Sequence, residues 1–143
     1  MSTLILAMTL AAPALKDPPK KELNIVGEWV VESQITNGRE MKTAPGRKYN
    51  FTADGKYTQT TAKAKVPSKI SRAYAIDTKT NPAAIDMKTS TALEQPNMIG
   101  IVRVDGDTLT ICYVSTDRDR PKTFDAADGS GATMLIMIRM KKD

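Results

Sequence analysis

The sequence predicts an all-β fold, a small antiparallel up-and-down β-barrel of about eight strands. Short segments alternate apolar and polar residues, which is typical of strands with one buried face. Turn signals rich in Gly, Asn and Asp separate these segments at fairly regular spacing. No segment carries a sustained helical apolar stripe. Because consecutive hairpins make a meander, closing that meander into a barrel removes its exposed sheet edges.

The first predicted strand, residues 25–36, shows this alternation most clearly. Glu28 and Glu32 share one parity, and mostly apolar or small side chains share the other. Asn37-Gly38 follows, a dipeptide that favours tight hairpin turns. The parity that we expect to face the barrel interior comprises Gly27, Trp29, Val31, Ser33 and Ile35.

The next two predicted strands form a hairpin around Asp54-Gly55. The second of them is rich in β-branched threonine, which favours strands. Pro67 then interrupts pairing because proline has no backbone N–H for a ladder hydrogen bond. The two strands are residues 47–53, with Tyr49 and Phe51 on one face, and residues 56–65, with Tyr57.

Three further strands are predicted in the middle of the chain. Asn81-Pro82 marks the turn between the first two, and a polar loop with Pro96 precedes the third. The three are residues 71–79, with Tyr74 and Ile76 on one face, residues 83–89, with Ile85 and Met87, and the strongly apolar residues 98–104, with Val102.

The last two predicted strands, residues 108–115 and 132–141, flank the longest loop, residues 116–131. Because long loops more often carry function than tight turns do, the carboxylates of this loop stay functional candidates. The final strand is apolar on both faces until Arg139, so either parity can face inward. The expected inward positions of the preceding strand are Leu109, Ile111 and Tyr113.

The chain of 143 residues is long enough for one domain, which we predict over residues 24–143. Residues 1–14 are apolar and end in Ala-Pro-Ala, which has the small-x-small form of a signal-peptidase site. They form either a signal peptide or a disordered apolar leader, and residues 15–23 form a linker. The leader is too short for a transmembrane segment, which needs about 20 apolar residues. We expect export to the periplasm or envelope, or a cytoplasmic location if the leader is not a signal peptide.

Composition excludes several kinds of site. The chain has no histidine and one cysteine, so its own residues cannot build Ser-His-Asp or Cys-His nucleophiles or histidine-bearing zinc sites. The cysteine, Cys112, has no basic neighbour in the sequence, which favours a buried strand thiol over a nucleophile. We therefore predict no catalytic residues, no metal site, no cofactor and no enzyme activity.

The formal net charge is +5, which raises the question of an anionic partner. Aromatic residues make up only 5% of the chain and are not interleaved with its densest basic region, so no base-stacking platform is visible. We interpret that region as solvated surface and predict no nucleic-acid partner. The region comprises Lys56, Lys63, Lys65, Lys69 and Arg72.

The Gly-x-Trp at the head of the first strand, residues 27–29, and Arg139 on the last are similar to features of the lipocalin and calycin superfamily. In that superfamily the tryptophan packs at the closed end of the barrel, and an arginine from the last strand lies across it. The resemblance therefore implies a structural pair, Trp29 and Arg139, held by a cation–π contact. The second lipocalin motif, a Thr-Asp pair between later strands, has no clean counterpart here.

Longer stretches resemble an uncharacterised lipocalin-like domain family of planctomycete bacteria. They occur in the same order as in that family and span most of the predicted domain. The resemblance implies a lipocalin-like barrel and implies no particular function. The stretches are IVGEWVV (25–31), PAAIDMK (82–88), IGIVRVDGDTLTICY (99–113), RPKTF (120–124) and GSGATMLIMIRMK (129–141).

Two kinds of function fit such a barrel. The first is a binding module that holds a small apolar molecule in the barrel mouth. The second is a non-catalytic interaction or structural module of the envelope with a filled core, marked by exposed apolar side chains on the last strand. The chain has eight methionines, which either line a pliable pocket or fill the core. We predict that they fill the core. The candidate ligand-binding residues are Val31, Tyr49, Phe51, Tyr57, Tyr74, Ile85, Val102 and Tyr113.

Overall fold

A computed structural model describes residues 23–141 of the chain. The predicted leader, residues 1–14, and the linker, residues 15–23, lie outside the described residues except for Leu23. That leucine packs against the barrel core. Within the described range, no helix has the length and apolarity that crossing a membrane requires.

Eight antiparallel strands close into a barrel, which confirms the predicted all-β up-and-down fold. Each barrel strand pairs with the next one along the chain, and the last pairs back to the first. A two-residue strand, β2, pairs only beside the end of β1. The strands are β1 (Gly27–Thr36), β2 (Arg39–Glu40), β3 (Lys48–Phe51), β4 (Lys56–Thr60), β5 (Arg72–Asp77), β6 (Ala83–Met87), β7 (Met98–Asp105), β8 (Thr108–Ser115) and β9 (Thr133–Arg139).

The two ends of the barrel differ. The short connections after β3, β5 and β7 lie at one end, together with the start of β1 and the end of β9. We call this the tryptophan end because Trp29 lies there. The longer connections, residues 37–47, 61–71, 88–97 and 116–132, lie at the other end, which we call the mouth.

A β-bulge divides β1 into two halves of opposite parity. The pairing with β9 shifts by one residue between Val31 and Ser33. Before the bulge, Val31 faces the interior, as predicted. After it, Gln34 lies opposite the interior residue Leu135, whereas Ile35 packs on the outer wall. The prediction that Ser33 and Ile35 face inward is therefore wrong, because the extra residue reverses every later side chain.

Apolar side chains are buried on both sides of the sheet. The main cluster fills the interior, where Leu109, Ile111 and Met137 are fully buried. Odd-numbered residues of β9 thus face inward, which settles the parity that the sequence left open. A second cluster lies outside the barrel, between the outer faces of β7, β8 and β9 and the loop of residues 116–132. Its buried members are Ile101, Cys112, Val114, Ala126 and Ala132.

The loop of residues 116–132 covers that outer cluster. Arg120 holds it to the wall, because its guanidinium donates to the carbonyl oxygens of Ile85 at 3.2 Å and Gly100 at 2.8 Å. The same guanidinium pairs with the Asp86 carboxylate at 2.8 Å. The longest loop is therefore a surface loop anchored to the barrel wall, and its Ala126 and Ala132 are buried in the outer cluster.

Candidate functional site

The tryptophan end is closed by side chains. Trp29 is fully buried, and its indole N–H donates to the Ile25 carbonyl oxygen at 2.8 Å. The Arg139 guanidinium carbon lies 4.2 Å from the centre of the Trp29 ring, and its Nη1 donates to the Val26 carbonyl oxygen at 3.2 Å. The structure thus brings together the two residues that the resemblance pairs, and it leaves the indole no free face for a ligand.

All eight candidate ligand-binding residues belong to the interior cluster. Val31, Phe51, Ile85 and Val102 are fully buried among other side chains. Tyr74 packs edge-on against the Phe51 ring, with the ring centres 5.2 Å apart. Only the other three, Tyr49, Tyr57 and Tyr113, border an interior cavity.

That cavity lies beneath the mouth and has a volume of about 50 Å³. A drug-sized ligand would not fit into this volume, because the sites that bind such ligands usually measure roughly 300–1,000 Å³. Met87 and Met98 line its wall, and methionine side chains repack more readily than branched ones. The full lining is Tyr49, Tyr57, Gln59, Met87, Thr89, Met98, Ile111, Tyr113 and Leu135.

Two arginines face inward at the rim of this cavity. Arg72 lies directly opposite Tyr57 in the β4–β5 pairing, so the two side chains share the inner face. Its Nη1 donates to the Gln59 side-chain oxygen at 3.3 Å. Arg47 precedes β3 by one residue and donates from Nη1 to the side-chain oxygen of the inward-facing Gln34 at 3.4 Å. Each guanidinium thus donates to a neutral amide and lies beside a neutral phenol, Tyr49 for Arg47 and Tyr57 for Arg72.

Neither rim arginine has a carboxylate partner. The ion pairs among residues 23–141 join Arg120 to Asp86 and Arg139 to Asp107. The Arg72 Nε, moreover, is buried and has no hydrogen-bond partner. Such a buried donor on a charged group is costly unless a further partner satisfies it.

The tyrosines of the mouth are held in their neutral form. Burial raises the pKa of Tyr49, and the positive charges of Arg47 and Arg72 oppose that rise. Burial likewise raises the pKa of Tyr57, and it raises the pKa of Tyr113 to about 12. The Tyr57 hydroxyl already donates to the Lys88 carbonyl oxygen at 2.7 Å. Near neutral pH the mouth therefore offers uncharged phenols beside two permanent cations.

Sequence reasoning missed both rim arginines. Arg72 was assigned to a solvated basic region, and that assignment is wrong for this residue. Its parity is that of Tyr74 and Ile76, which were placed together on one face, so the signal was present in the alternation. Arg47 shares the parity of Tyr49 in the same way. Gln34 could not be found, because the bulge that turns it inward has no sequence signal in β1.

Other candidate groups lie away from the mouth. Cys112 is buried, as predicted, and burial raises the pKa of its thiol. In the described part of the chain, no three Cys, Asp or Glu side chains lie close enough together to hold a metal ion. A wide groove of about 1130 Å³ runs between the loop 78–82, Arg103 and Phe124 near the tryptophan end, and it is open to solvent.

Comparison with known proteins leaves the geometry to stand by itself: no protein-family model, curated protein or solved structure matches this chain. The resemblance to the planctomycete lipocalin-like family accordingly stays a prediction from the sequence.

Proposed function

We propose that the protein is a non-catalytic binding module that takes a small organic molecule at the mouth of its barrel. The observation that carries the proposal is the contrast between the two ends. Trp29 and Arg139 plug the tryptophan end beside its solvent-open groove, whereas an unfilled cavity of about 50 Å³ lies among the interior side chains beneath the mouth. The cavity walls are apolar and aromatic, and its rim is polar, which is the usual composition of a small-molecule site.

The two methionines give the cavity room to adapt. Met98 is only half buried at the edge of the mouth, and Met87 lies opposite it in the β6–β7 pairing. A rotamer change of these unbranched side chains would enlarge the cavity without moving the strands. The ligand we propose is therefore short, with an apolar part against the methionines and tyrosines and a polar part at the rim.

The alternative, a filled interaction module, has less support. Its mark would be exposed apolar side chains on the outward face of β9. Met134 on that face packs in the outer cluster, and Ile136 is half buried. Ile138 alone has an exposed fraction above a third, at 37%. A single such side chain is ordinary for a protein surface.

The test follows the methionine methyl groups by NMR. Full-length protein with ¹³C-methyl methionine is screened against small aromatic and short aliphatic molecules. We expect ligands to shift the Met87 and Met98 signals and to leave Met134, which lies on the outer wall, in place. Shifts confined to methionines outside the mouth, or no shift with any compound, would overturn the proposal.

A pair of matched variants shows where the ligand lies. Met98→Trp places an indole in the mouth, and Ile138→Trp adds the same ring to the outer wall. We expect the first variant to abolish the ligand-induced shift of Met87 and the second to preserve it. Equal shifts in both variants would argue against a site in the mouth.

A further inference from the structure

We propose, on the basis of the mouth-binding function above, that Arg47 and Arg72 form an anion site that selects ligands with an oxyanion group on a short apolar body. The oxyanion would lie between the two guanidiniums at the rim, and the apolar body would enter the cavity lined by Met87 and Met98. The chemical class is an organic carboxylate or phosphate monoester.

The positive charges of Arg47 and Arg72 are not compensated by a carboxylate. A guanidinium turned towards a barrel interior loses hydration, and it normally regains that energy from a carboxylate. Here both guanidiniums meet only neutral side chains. Arg47 donates to Gln34 and lies beside the Tyr49 phenol. Arg72 donates to Gln59 and lies beside the Tyr57 phenol. The other polar side chains of the inner rim are neutral as well, namely Thr36, Thr89, Thr133 and Tyr113.

Arg72 also has a donor without a hydrogen-bond partner. Arg72 uses Nη1 for Gln59, and its Nε is buried without a partner. An oxyanion bound side-on to a guanidinium takes two parallel N–H donors, which a point charge such as lysine cannot supply. A carboxylate or phosphate on the Nε edge would satisfy this donor and neutralise the charge at the same time.

The inward-facing arginines differ from the exposed lysines of the basic surface. The lysines that flank the anion site, Lys48 and Lys65, are exposed on the outer wall, where they border a different groove with Asn50. Exposed charges attract any anion weakly and are screened by salt. Selection that persists at physiological salt therefore has to come from the inward-facing arginines.

The experiment compares ligands that differ only in their head group. Hexanoate, hexyl phosphate and 1-hexanol are titrated into the full-length protein at physiological salt, with the Met87 and Met98 methyl signals as the readout. We expect at least one of the anions to bind roughly tenfold or more tightly than the alcohol, as a charge-assisted hydrogen bond allows. The tighter of the two anions identifies the head group.

Arginine variants test which residues bind the anionic head group of the ligand. Arg47→Gln and Arg72→Gln should each remove the preference for the anion over 1-hexanol. Arg72→Lys keeps the charge but not the paired donors, so it should recover only part of the preference. The matched control, Lys48→Gln with Lys65→Gln, removes two exposed charges and should leave the preference intact. Melting curves of each variant establish that it is folded.

The outcomes separate this inference from the function on which it rests. If the alcohol binds as tightly as both anions, or if the arginine variants keep the preference, the anion site is refuted and the mouth remains a binding site. If the lysine pair removes the preference, the basic surface is responsible and the inference is refuted in the same way. If no probe moves the Met87 or Met98 signals, both proposals fail.

Discussion

Single side chains determine whether each end of the barrel is plugged or can bind a ligand. At the tryptophan end, the Trp29 ring is buried, hydrogen-bonded to Ile25 and covered by Arg139. Every face and the polar edge of the indole are thus occupied by the protein itself. At the mouth, Arg72 meets only neutral side chains and keeps its Nε donor without a partner. The same physical rule, that buried polar groups need partners, makes one end a plug and the other a candidate site.

Replacing Trp29 with alanine should cost about 3–5 kcal/mol of unfolding free energy, because a large buried ring leaves a cavity that the barrel cannot refill. Equilibrium urea denaturation of the full-length chain measures the loss. Trp29→Phe, which retains an aromatic plug without the indole N–H, should lose less. An unchanged denaturation midpoint in the alanine variant would show that the ring is not part of the core.

At the scale of elements, β1 and the loop 116–132 depart from simple alternation. The bulge in β1 lets one strand supply Trp29 and Val31 to the interior and Ile35 to the outer cluster. The loop then covers that outer cluster. Its cation–π contact, the Arg103 guanidinium carbon 4.3 Å from the Phe124 ring centre, adds to the Arg120 hydrogen bonds. The wall formed by β7, β8 and β9 is therefore buried on both faces.

Arg120→Ala should loosen this loop and expose Cys112, whose Sγ lies 3.8 Å from the Asp125 carbonyl oxygen of the same loop. We expect a loss of about 1–3 kcal/mol, mainly from the two carbonyl bonds. The pair with Asp86 is about a third exposed and adds little. The rate of thiol modification by a disulfide reagent in native protein should rise well above wild type. Asp86→Asn, which keeps the carbonyl bonds, serves as the control and should leave that rate nearly unchanged.

On the scale of the whole molecule, the barrel gathers all four tyrosines of the chain onto its inner face. Burial raises the pKa of each, and that of Tyr113 rises to about 12. The folded protein thus keeps its tyrosine hydroxyls protonated at pH values above about 10, where the tyrosines of the unfolded chain lose their protons. Their stabilising contribution is complete below about pH 10 and is lost as the pH rises towards 12.

We expect the free energy of unfolding to fall steeply from about pH 10 upwards, with the Tyr113 share on the order of 1 kcal/mol. Tyr113→Phe should flatten that fall, whatever its effect on stability at neutral pH. Denaturation series near pH 9 and pH 11 give the slope, and Tyr74→Phe, which alters a less buried phenol, should flatten it less. A slope identical to wild type in Tyr113→Phe would contradict the assignment of this phenol to the interior.

The strand positions could be predicted from the sequence because the signals are local. Alternation predicts Tyr49 and Phe51 on one face of a strand, and Asp54-Gly55 predicts the turn to the next strand with Tyr57. The structure has that hairpin in β3 and β4. The candidate site was predicted only in part, since three of the eight proposed residues border the cavity and the two rim arginines were not among them.

The sequence by itself determined the all-β barrel, its strand order and most of its inward faces, because turn chemistry and side-chain alternation act over a few residues. Only the tertiary structure decided the bulge in β1, the inward turn of Gln34 and the packing of the 116–132 loop on the outer wall. Each of these depends on partners far away in the chain, as when Thr36 pairs with Thr133 or Arg120 reaches Gly100. Such contacts form once the barrel closes, and closure is what turns local alternation into a filled end and an open one.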